Sequence, residues 1–436
     1  MIQQILFILT LGVAIYFIRI RVGRINRTIK LGKANVINDR RDERLKNLFL
    51  VAFGQKKMFK RPVPAILHFF IYVGFLIINI EVLEFVIDGI IGTHRVFAPY
   101  LGTFYNVLMN GFEFLAVAVL LACLAMLIRR NVLKIKRFWS AEMTRWPRLD
   151  ANIILIIEIV LMIAILTMNA SDQLLQQRSV EHYTETGPLF FSGVIMPMLR
   201  NLDASTLILI ERLAWWVHIV GILAFAVYIT YSKHLHIFLA FPTTYFAKLE
   251  PKGHMENMPV VTNEVKMMLE MAGNPEAPAS PGRFGAKDIN DLAWNHLLAA
   301  YSCTECGRCT SECPANITGK KLSPRKIMMD TRDRMEEVGA SLAKNGSGLN
   351  DGKSLLGTYI SKEEINACTS CNACFEACPV MINPMDIILE LRRYTAMEES
   401  GSPASWNSMF QNIETNFAPW RFSPADRFNW ANEIKK

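Results

Sequence analysis

The stretch CTECGRCTSECP, residues 303–314, and its repeat CTSCNACFEACP, residues 368–379, hold eight of the nine cysteines of the chain. In each copy two residues separate the first three cysteines from one another, three residues precede the fourth, and a proline follows it at once. The proline turns the chain away, because it can neither continue a helix nor donate a backbone hydrogen bond. Two closely spaced sets of thiolates predict two metal centres.

This spacing resembles that of bacterial two-cluster ferredoxins, in which the fourth cysteine of each run ligates the cluster of the other run. The resemblance implies two [4Fe-4S] clusters with crossed ligands. The first would use Cys303, Cys306, Cys309 and Cys378, and the second Cys368, Cys371, Cys374 and Cys313. The alternatives are a disulfide framework and zinc, which uses paired Cys-x2-Cys but has no need of the further regularities in these runs.

Apolar residues divide the chain into two parts. The 436 residues are 51% hydrophobic, and nearly all the long apolar runs fall within the first 240. Five runs are long enough to cross a bilayer as helices, at about residues 2–18, 62–87, 104–128, 151–168 and 213–231. The first lacks a small-residue cleavage site and is predicted to be a retained helix. The sequence predicts an all-α protein, a five-helix transmembrane bundle followed by an α-helical ferredoxin domain.

The predicted divisions are a transmembrane domain at 1–240, a linker at 241–285, a two-cluster domain at 286–395 and a tail at 396–436. The linker is rich in Pro, Gly and Ala from Gly273 to Gly285. A helix start follows each cysteine run, at Ser323-Pro324 and at Asn383-Pro384. The tail carries scattered aromatic residues that either dock onto another subunit or wrap their own domain.

Basic residues predict the orientation. Fourteen Lys and Arg lie between residues 19 and 61 and seven between 129 and 148, whereas the intervening loops carry few. The positive-inside rule then places the N-terminus outside and the iron–sulfur domain in the cytoplasm, at the cytoplasmic membrane of a prokaryote. These loops beside lipid headgroups account for the net charge of +8, so no nucleic-acid partner is required. A reducing cytoplasm favours thiolate ligation, and Cys123 is predicted to be a packing residue.

Histidines within membrane helices are costly and need a reason. His68 lies near the cytoplasmic end of the second predicted helix, and His218 and His236 are eighteen residues apart on the fifth helix or its extension. Eighteen residues are five helical turns, so these two are expected on one face, with His234 pointing away toward the membrane surface. Two imidazoles facing each other across a bundle can hold a haem b. The alternative is a lone histidine bonded to a neighbouring carbonyl.

Five helices with histidines on the second and fifth resemble the haem b subunit of respiratory nitrate reductases and related membrane subunits. That family has two histidines ten residues apart on the second helix and two haems. His68 matches the first, but Ile78 stands at the second position. The resemblance implies a haem on His68 and His236 and leaves His218 without a partner. Either one haem is bound, or a second uses another residue, with His94 and His182 as candidates.

Four acids also lie within predicted helices: Glu81, Glu84, Glu113 and Glu158. Glu113 and Glu158 lie deepest and are candidates for moving protons to or from a quinone. The alternative is polar packing between helices.

The cysteine domain resembles the iron–sulfur subunit of heterodisulfide reductases and the equivalent domain of anaerobic glycerol-3-phosphate dehydrogenases and glycolate oxidases. Besides the two cysteine runs, the matching residues are Leu322-Ser-Pro-Arg325 and Ile382-Asn-Pro384. In that family the chemistry is usually done by a domain with Cys-Cys-Gly repeats, fused or on a partner. The 436 residues contain no such repeat, so the resemblance implies a Cys-Cys-Gly-repeat or flavin-containing partner subunit.

These observations predict an electron-transfer subunit that links membrane quinone to a cytoplasmic redox partner and is catalytic only with that partner. One alternative is a membrane-anchored ferredoxin without haem. The other is a subunit of a heterodisulfide or thiol reductase-like complex.

Overall fold

The computed structural model describes residues 1–271, 283–346, 351–421 and 423–434. The helices of the first half, in chain order, are α1 (Ile2–Ile29), α2 (Arg41–Asn47), α3 (Pro62–Ile91), α4 (Ala98–Leu101), α5 (Thr103–Asn131), α6 (Arg145–Gln177), α7 (Phe190–Leu199), α8 (Ala204–Ile229) and α9 (His236–Tyr245). Those of the second half are α10 (Pro259–Met268), α11 (Trp294–Ser302), α12 (Arg308–Ser311), α13 (Pro314–Ile317), α14 (Pro324–Asn345), α15 (Lys362–Asn366), α16 (Ala373–Ala377), α17 (Pro384–Met397), α18 (Ala404–Asn416) and α19 (Asn429–Ile434). Apart from two isolated bridges, these described ranges contain no strand.

The predicted fold class is confirmed. Helices α1, α3, α5, α6 and α8 are long and apolar enough to cross a membrane. Each of the five extends beyond at least one predicted end, and α8 also ends two residues before its predicted end. The clearest case is α6, whose last turns from Asn169 to Gln176 are polar and buried. Most of the Pro/Gly/Ala-rich stretch predicted as a linker lies outside the described residues.

The fifth predicted helix is interrupted, which corrects one premise about its histidines. Helix α8 ends at Ile229, a turn and a 3-10 segment at Lys233–Leu235 follow, and α9 starts at His236. His218 and His236 therefore belong to different helices, and counting five turns between them was wrong. The break redirects the chain at the end of the bundle nearest the cysteines.

The cysteine domain packs against the same end of the bundle as the two basic loops. Arg325, which is fully buried, donates to the carbonyl of Arg137 at 2.6 Å and to Glu142 at 2.7 Å, both in the loop between α5 and α6. Lys57, which precedes α3, donates to the carbonyl of Phe375 at 3.1 Å. The chain after α1 is held as well, because Lys33 forms a bridge with Ala293.

The opposite end of the bundle is closed by buried polar contacts. Arg95 donates to Asp172 at 2.7 Å and to Asn169 at 2.8 Å. The apolar segment at residues 188–199 contains α7, which lies against α5 and α6 of the bundle. Glu113 on α5 accepts hydrogen bonds from the backbone N–H groups of Phe191 and Ser192 in the first turn of α7.

Candidate redox centres

The two cysteine loops fold alike. In each, the third and fifth residues adopt positive φ, at Glu305 (56°) and Gly307 (71°) in the first loop and at Ser370 (55°) and Asn372 (60°) in the second. A short helix then starts, α12 after Gly307 and α16 after Asn372. Glycine and asparagine tolerate this left-handed conformation, which explains their use here. The sequence repeat is thus a repeat of backbone geometry.

Gly307 also meets a steric requirement. A Cβ atom at this position would lie 2.5 Å from a guanidinium nitrogen of the buried Arg325. The same guanidinium reaches the carbonyl of Glu305 at 3.4 Å. Arg325 therefore holds the backbone of the first loop in place. Arg392 has the same role beside the second loop, where it donates to the carbonyls of Ile365 at 2.8 Å and Asn366 at 3.1 Å.

The structure brings the fourth cysteine of the second run to the first loop. Cys303, Cys306, Cys309 and Cys378 line one cavity of about 30 Å³, which is almost entirely apolar apart from their sulfurs. Backbone N–H groups point at these sulfurs, as at Ile382, whose amide lies 3.3 Å from the Cys378 sulfur. This is the set that the crossed rule assigns to the first cluster.

The remaining four cysteines form the second group. Burial raises the pKa of Cys313, backbone amides lower it, and the nearby charges of Cys368 and Cys371 raise it again. The pKa of Cys374 is raised to about 12, first by burial and then by the nearby charges of Cys368, Cys313 and Cys371. Cys371 is exposed, whereas Cys303 is buried. The second group therefore lies nearer to the protein surface than the first.

The donors suit iron–sulfur clusters. Burial raises the pKa of Cys303 to about 12 and that of Cys378 to about 11, so metal-free thiols there hold their protons and binding of iron must release them. Within the described ranges, no three His, Cys, Asp or Glu side chains converge closely enough for a single metal ion. The sulfurs surround a cavity instead, which fits a polynuclear cluster.

Glu305, in the first loop, carries an ion pair on each carboxylate oxygen. Lys233 donates to one oxygen and Arg332 of α14 to the other. Burial opposes ionisation, but Arg332 and Lys233 hold the pKa of Glu305 at about 2. The carboxylate is therefore charged throughout the physiological range.

His68 and His236 face each other across the end of the bundle. Their ring centroids are 6.3 Å apart. Two imidazole nitrogens each about 2 Å from one iron would place the ring centroids roughly 6 Å apart. The Nδ1 of His68 lies 3.1 Å from Oε1 of the buried Gln55, and the Nδ1 of His236 lies 3.1 Å from the carbonyl of Lys233. When each Nδ1–H donates to its oxygen, each Nε2 keeps a lone pair for a metal.

His234 does not point away from this pair. Its ring centroid lies 5.4 Å from that of His236 and 5.4 Å from that of Phe225, on which it stacks. The expectation that it lies apart at the membrane surface is wrong, because the break after α8 replaces the helical geometry on which it rested.

His218 lies deeper in the bundle. Its Nδ1 is 3.0 Å from the carbonyl of Leu161, and its buried Nε2 has no hydrogen-bond partner among the described residues. His94 cannot serve as its partner, because one ring nitrogen lies 3.2 Å from Asp172 and the other accepts from the Thr184 amide. His182 is exposed on the loop between α6 and α7. The structure does not bring His94 or His182 to His218 as a free ligand.

The candidate proton carriers differ in their surroundings. Glu113 accepts from Asn169, from two amides of α7 and from the Ser192 hydroxyl, so it staples α5, α6 and α7 together. Glu158 is half-buried on α6. Glu81 is buried, with one carboxylate oxygen unpartnered among the described residues.

The tail does not wrap the cysteine domain. Neither α18 nor α19, as far as they are described, contains a buried residue. The exposed aromatic side chains are Trp406, Phe410, Phe417, Trp420, Phe428 and Trp430.

Sequence reasoning missed the residues that support these sites: Gln55, Lys233, Glu305, Arg325 and Arg392. Each acts across a long stretch of chain, and a single sequence gives no pairing signal for such contacts. Arg325 and Glu305 were visible only as neighbours of cysteine-run motifs.

Comparisons with known proteins agree with the cysteine geometry. Residues 302–382 match the family model of the 4Fe-4S dicluster domain. The chain therefore contains such a domain. Shorter stretches are similar to heterodisulfide reductase subunits C and D of Methanosarcina mazei, at 35% identity over 97 residues and 27% over 147. No solved structure gives a significant match.

Longer matches extend over the helices. The chain is 29% identical over 460 aligned residues to the "Probable iron-sulfur-binding oxidoreductase FadF" of Bacillus subtilis, covering 99% of this chain and 61% of that protein. It is 26% identical to the "EtfAB:quinone oxidoreductase" of Syntrophomonas wolfei, covering 91% and 55%. A "Probable membrane-anchored ferredoxin" of Chromohalobacter salexigens matches at 33% over 165 residues, 34% of this chain and 24% of that protein. The chain thus spans about three-fifths or less of these curated relatives.

Proposed function

We propose that this chain is a membrane-bound electron-transfer subunit that passes electrons between the quinone pool and a cytoplasmic redox partner. It would hold one haem b on His68 and His236 and two [4Fe-4S] clusters on the crossed cysteine sets. When bound, these groups supply one-electron transfer, and the protein sets their positions and potentials. The name of the Syntrophomonas relative, which joins EtfAB to quinone, supports the quinone and a separate redox partner.

One observation carries this proposal: the segments that carry the histidine pair are in contact with the segments that carry the first cysteine group. Helix α9 begins with His236, and its Thr243 hydroxyl lies 2.5 Å from the hydroxyl of Ser302, the residue before Cys303. Lys57 lies two residues after Gln55, the partner of His68. The Lys57 ammonium contacts the second cysteine run at Phe375, and the Lys57 carbonyl accepts a hydrogen bond from Arg308 of the first run at 3.4 Å. We infer that the first group is the one through which the clusters exchange electrons with the haem.

The second group suits exchange with the partner. Cys371 is exposed, and Ile317, which follows Cys313, leaves 67% of its surface open. We propose that electrons pass between the partner and this edge. A partner with Cys-Cys-Gly repeats or a flavin fits the resemblance to heterodisulfide reductases.

We also propose that the cysteine domain is cytoplasmic and the N-terminus is outside. The basic segments 19–61 and 129–148 lie at the end of the bundle that carries the cysteines, which is the positive side. Protease treatment of intact spheroplasts should leave the tail uncut, and opened membranes should expose it. Cleavage of the tail in intact spheroplasts would show that the orientation is the opposite of the one proposed.

Iron and haem analysis of the purified chain tests the main proposal. We expect about eight irons in clusters per polypeptide, plus a bis-histidine α band in the reduced-minus-oxidised spectrum. Cys378→Ala should lose the first cluster although it lies in the second run, and Cys313→Ala the second. Cys123→Ala is the matched control and should keep both. Zinc in place of iron would refute the proposal.

A second candidate is a membrane-anchored ferredoxin without haem, which the Chromohalobacter relative favours. A spectrum with only broad iron–sulfur absorption would select it.

A further inference from the structure

We propose that Lys233, Glu305 and Arg332 form a charged unit that sets the reduction potential of the first cluster and holds the histidine-bearing end of α9 to the loop of that cluster. This inference rests on the proposed function, since it concerns a cluster held by Cys303, Cys306, Cys309 and Cys378. It assigns positioning and tuning roles to three residues outside the ligand set.

The unit is buried where the cysteine domain meets the bundle. Glu305 is 3% exposed, and the side chains of Lys233 and Arg332 are 9% and 16% exposed. Glu305 stands between Cys303 and Cys306, so its ion pairs link Lys233 and Arg332 to the cluster loop. Ion pairs shielded from water in this way are screened far less by salt than surface pairs.

Lys233 belongs to both redox sites. Its ammonium donates to Glu305 in the cluster loop and to the carbonyl of Pro147 at 2.6 Å. Its own carbonyl lies 3.1 Å from Nδ1 of His236 and orients that ring. Its backbone N–H donates to Asp150 at 3.2 Å. A displacement of Lys233 would therefore be felt by His236 and by the cluster loop together.

The charges predict opposite signs for opposite changes. A cluster gains one negative charge on reduction, so a nearby cation favours the reduced state and a nearby anion opposes it. Arg332 is close enough to Cys303 for its charge to act on that sulfur. Asp150 lies 3.8 Å from Lys233, and Asp333 lies 3.8 Å from Arg332. These two acids alter the net charge of the region, but they do not alter the sign of the change in potential when Lys233, Glu305 or Arg332 is replaced.

The test is a redox titration of the purified full-length protein, followed by electron paramagnetic resonance of the clusters. Lys233→Met should lower the midpoint potential of the first cluster, Glu305→Gln should raise it, and the double variant should return it toward the wild type. The second cluster should shift less in every case. Arg332→Gln should act in the same direction as Lys233→Met from a different element, which keeps the test valid if one variant fails to assemble.

Conservative and remote variants separate tuning from mere stability. Lys233→Arg keeps the charge and should keep the potential. The Lys353–Glu337 ion pair lies in the same domain and is exposed. Lys353→Met and Glu337→Gln should leave both potentials unchanged. The haem α band should broaden or shift in Lys233→Met and stay unchanged in these controls.

Two results would overturn the inference. One is a shift of the same sign in Lys233→Met and Glu305→Gln, and the other is no shift in either while iron content matches the wild type. Failure of the proposed function would be seen earlier and separately, as a wild-type protein without two clusters.

Discussion

Two histidine pairs lie at opposite ends of the helix bundle, and the groups that contact their ring nitrogens differ. His68 and His236 have ring centroids 6.3 Å apart at the cysteine end, and His94 and His182 have theirs 5.6 Å apart at the other. By distance the second pair is the tighter. Proximity of imidazoles therefore does not identify a haem site.

The difference lies in what holds each ring. At the cysteine end the neutral oxygens of Gln55 and Lys233 face the Nδ1 atoms and leave each Nε2 available. At the other end Asp172 lies 3.2 Å from one nitrogen of His94, and the Thr184 amide donates to the other. Hydrogen-bond partners of a histidine fix its orientation and decide which ring nitrogen is available to a metal. His94 belongs instead to the polar network that closes its end of the bundle.

The comparison would break most visibly at His68. His68→Ala removes one of the two residues proposed to hold the haem, and we expect it to abolish the bis-histidine α band of the purified protein. His94→Ala is the matched control at the other end and should retain the full haem content. Equal loss of haem in the two variants would show that the hydrogen-bond partners of the ring nitrogens do not distinguish the two histidine pairs.

A large change in stability is expected at the other end. Asp172→Asn removes the charge that pairs with the buried Arg95 at 2.7 Å. Breaking a buried pair by removing one partner costs about 3–5 kcal/mol, since the remaining charge has lost its compensation. Thermal unfolding of the detergent-solubilised protein should show this loss, while haem per folded polypeptide stays at the wild-type value. Loss of haem at unchanged stability would contradict the division of roles.

A smaller effect is expected at Gln55, which orients His68. Gln55→Leu removes the acceptor at 3.1 Å and leaves both ligands in place. Outer-shell substitutions typically weaken metal binding by about 10–100-fold. Titration of haem into the haem-depleted protein should show a reduction of this size. Gln176→Leu, which alters an amide at the outer end, should leave the affinity unchanged.

The sequence indicated which residue types could be ligands, whereas their hydrogen-bond partners were found only in the structure. The cysteine repeat predicted both loops, because its spacing is short and local, whereas the crossed sets came from the resemblance to two-cluster ferredoxins. Helix starts at Ser323 and Asn383 were predicted correctly for the same reason. The break after Ile229 was not, since Thr230 to Ser232 carry no strong helix-ending signal. Gln55 and Lys233 were invisible because their partners are thirteen residues away and in a different domain, respectively.

The smallest effect is expected at His218, where the count of haems is decided. Its Nε2 is buried and unpartnered among the described residues, so by burial alone it could pass for a ligand. The position that would oppose it in the nitrate reductase-like pattern is Ile78, which is itself buried, and a hydrocarbon cannot ligate iron. His218→Ala should therefore leave the haem content at one per polypeptide and the α band unchanged, as measured by pyridine haemochrome and difference spectra. A fall in haem content from two per polypeptide to one would show that another residue of the bundle takes the place of Ile78. His218 would then be a haem ligand, as is proposed for His68 and His236.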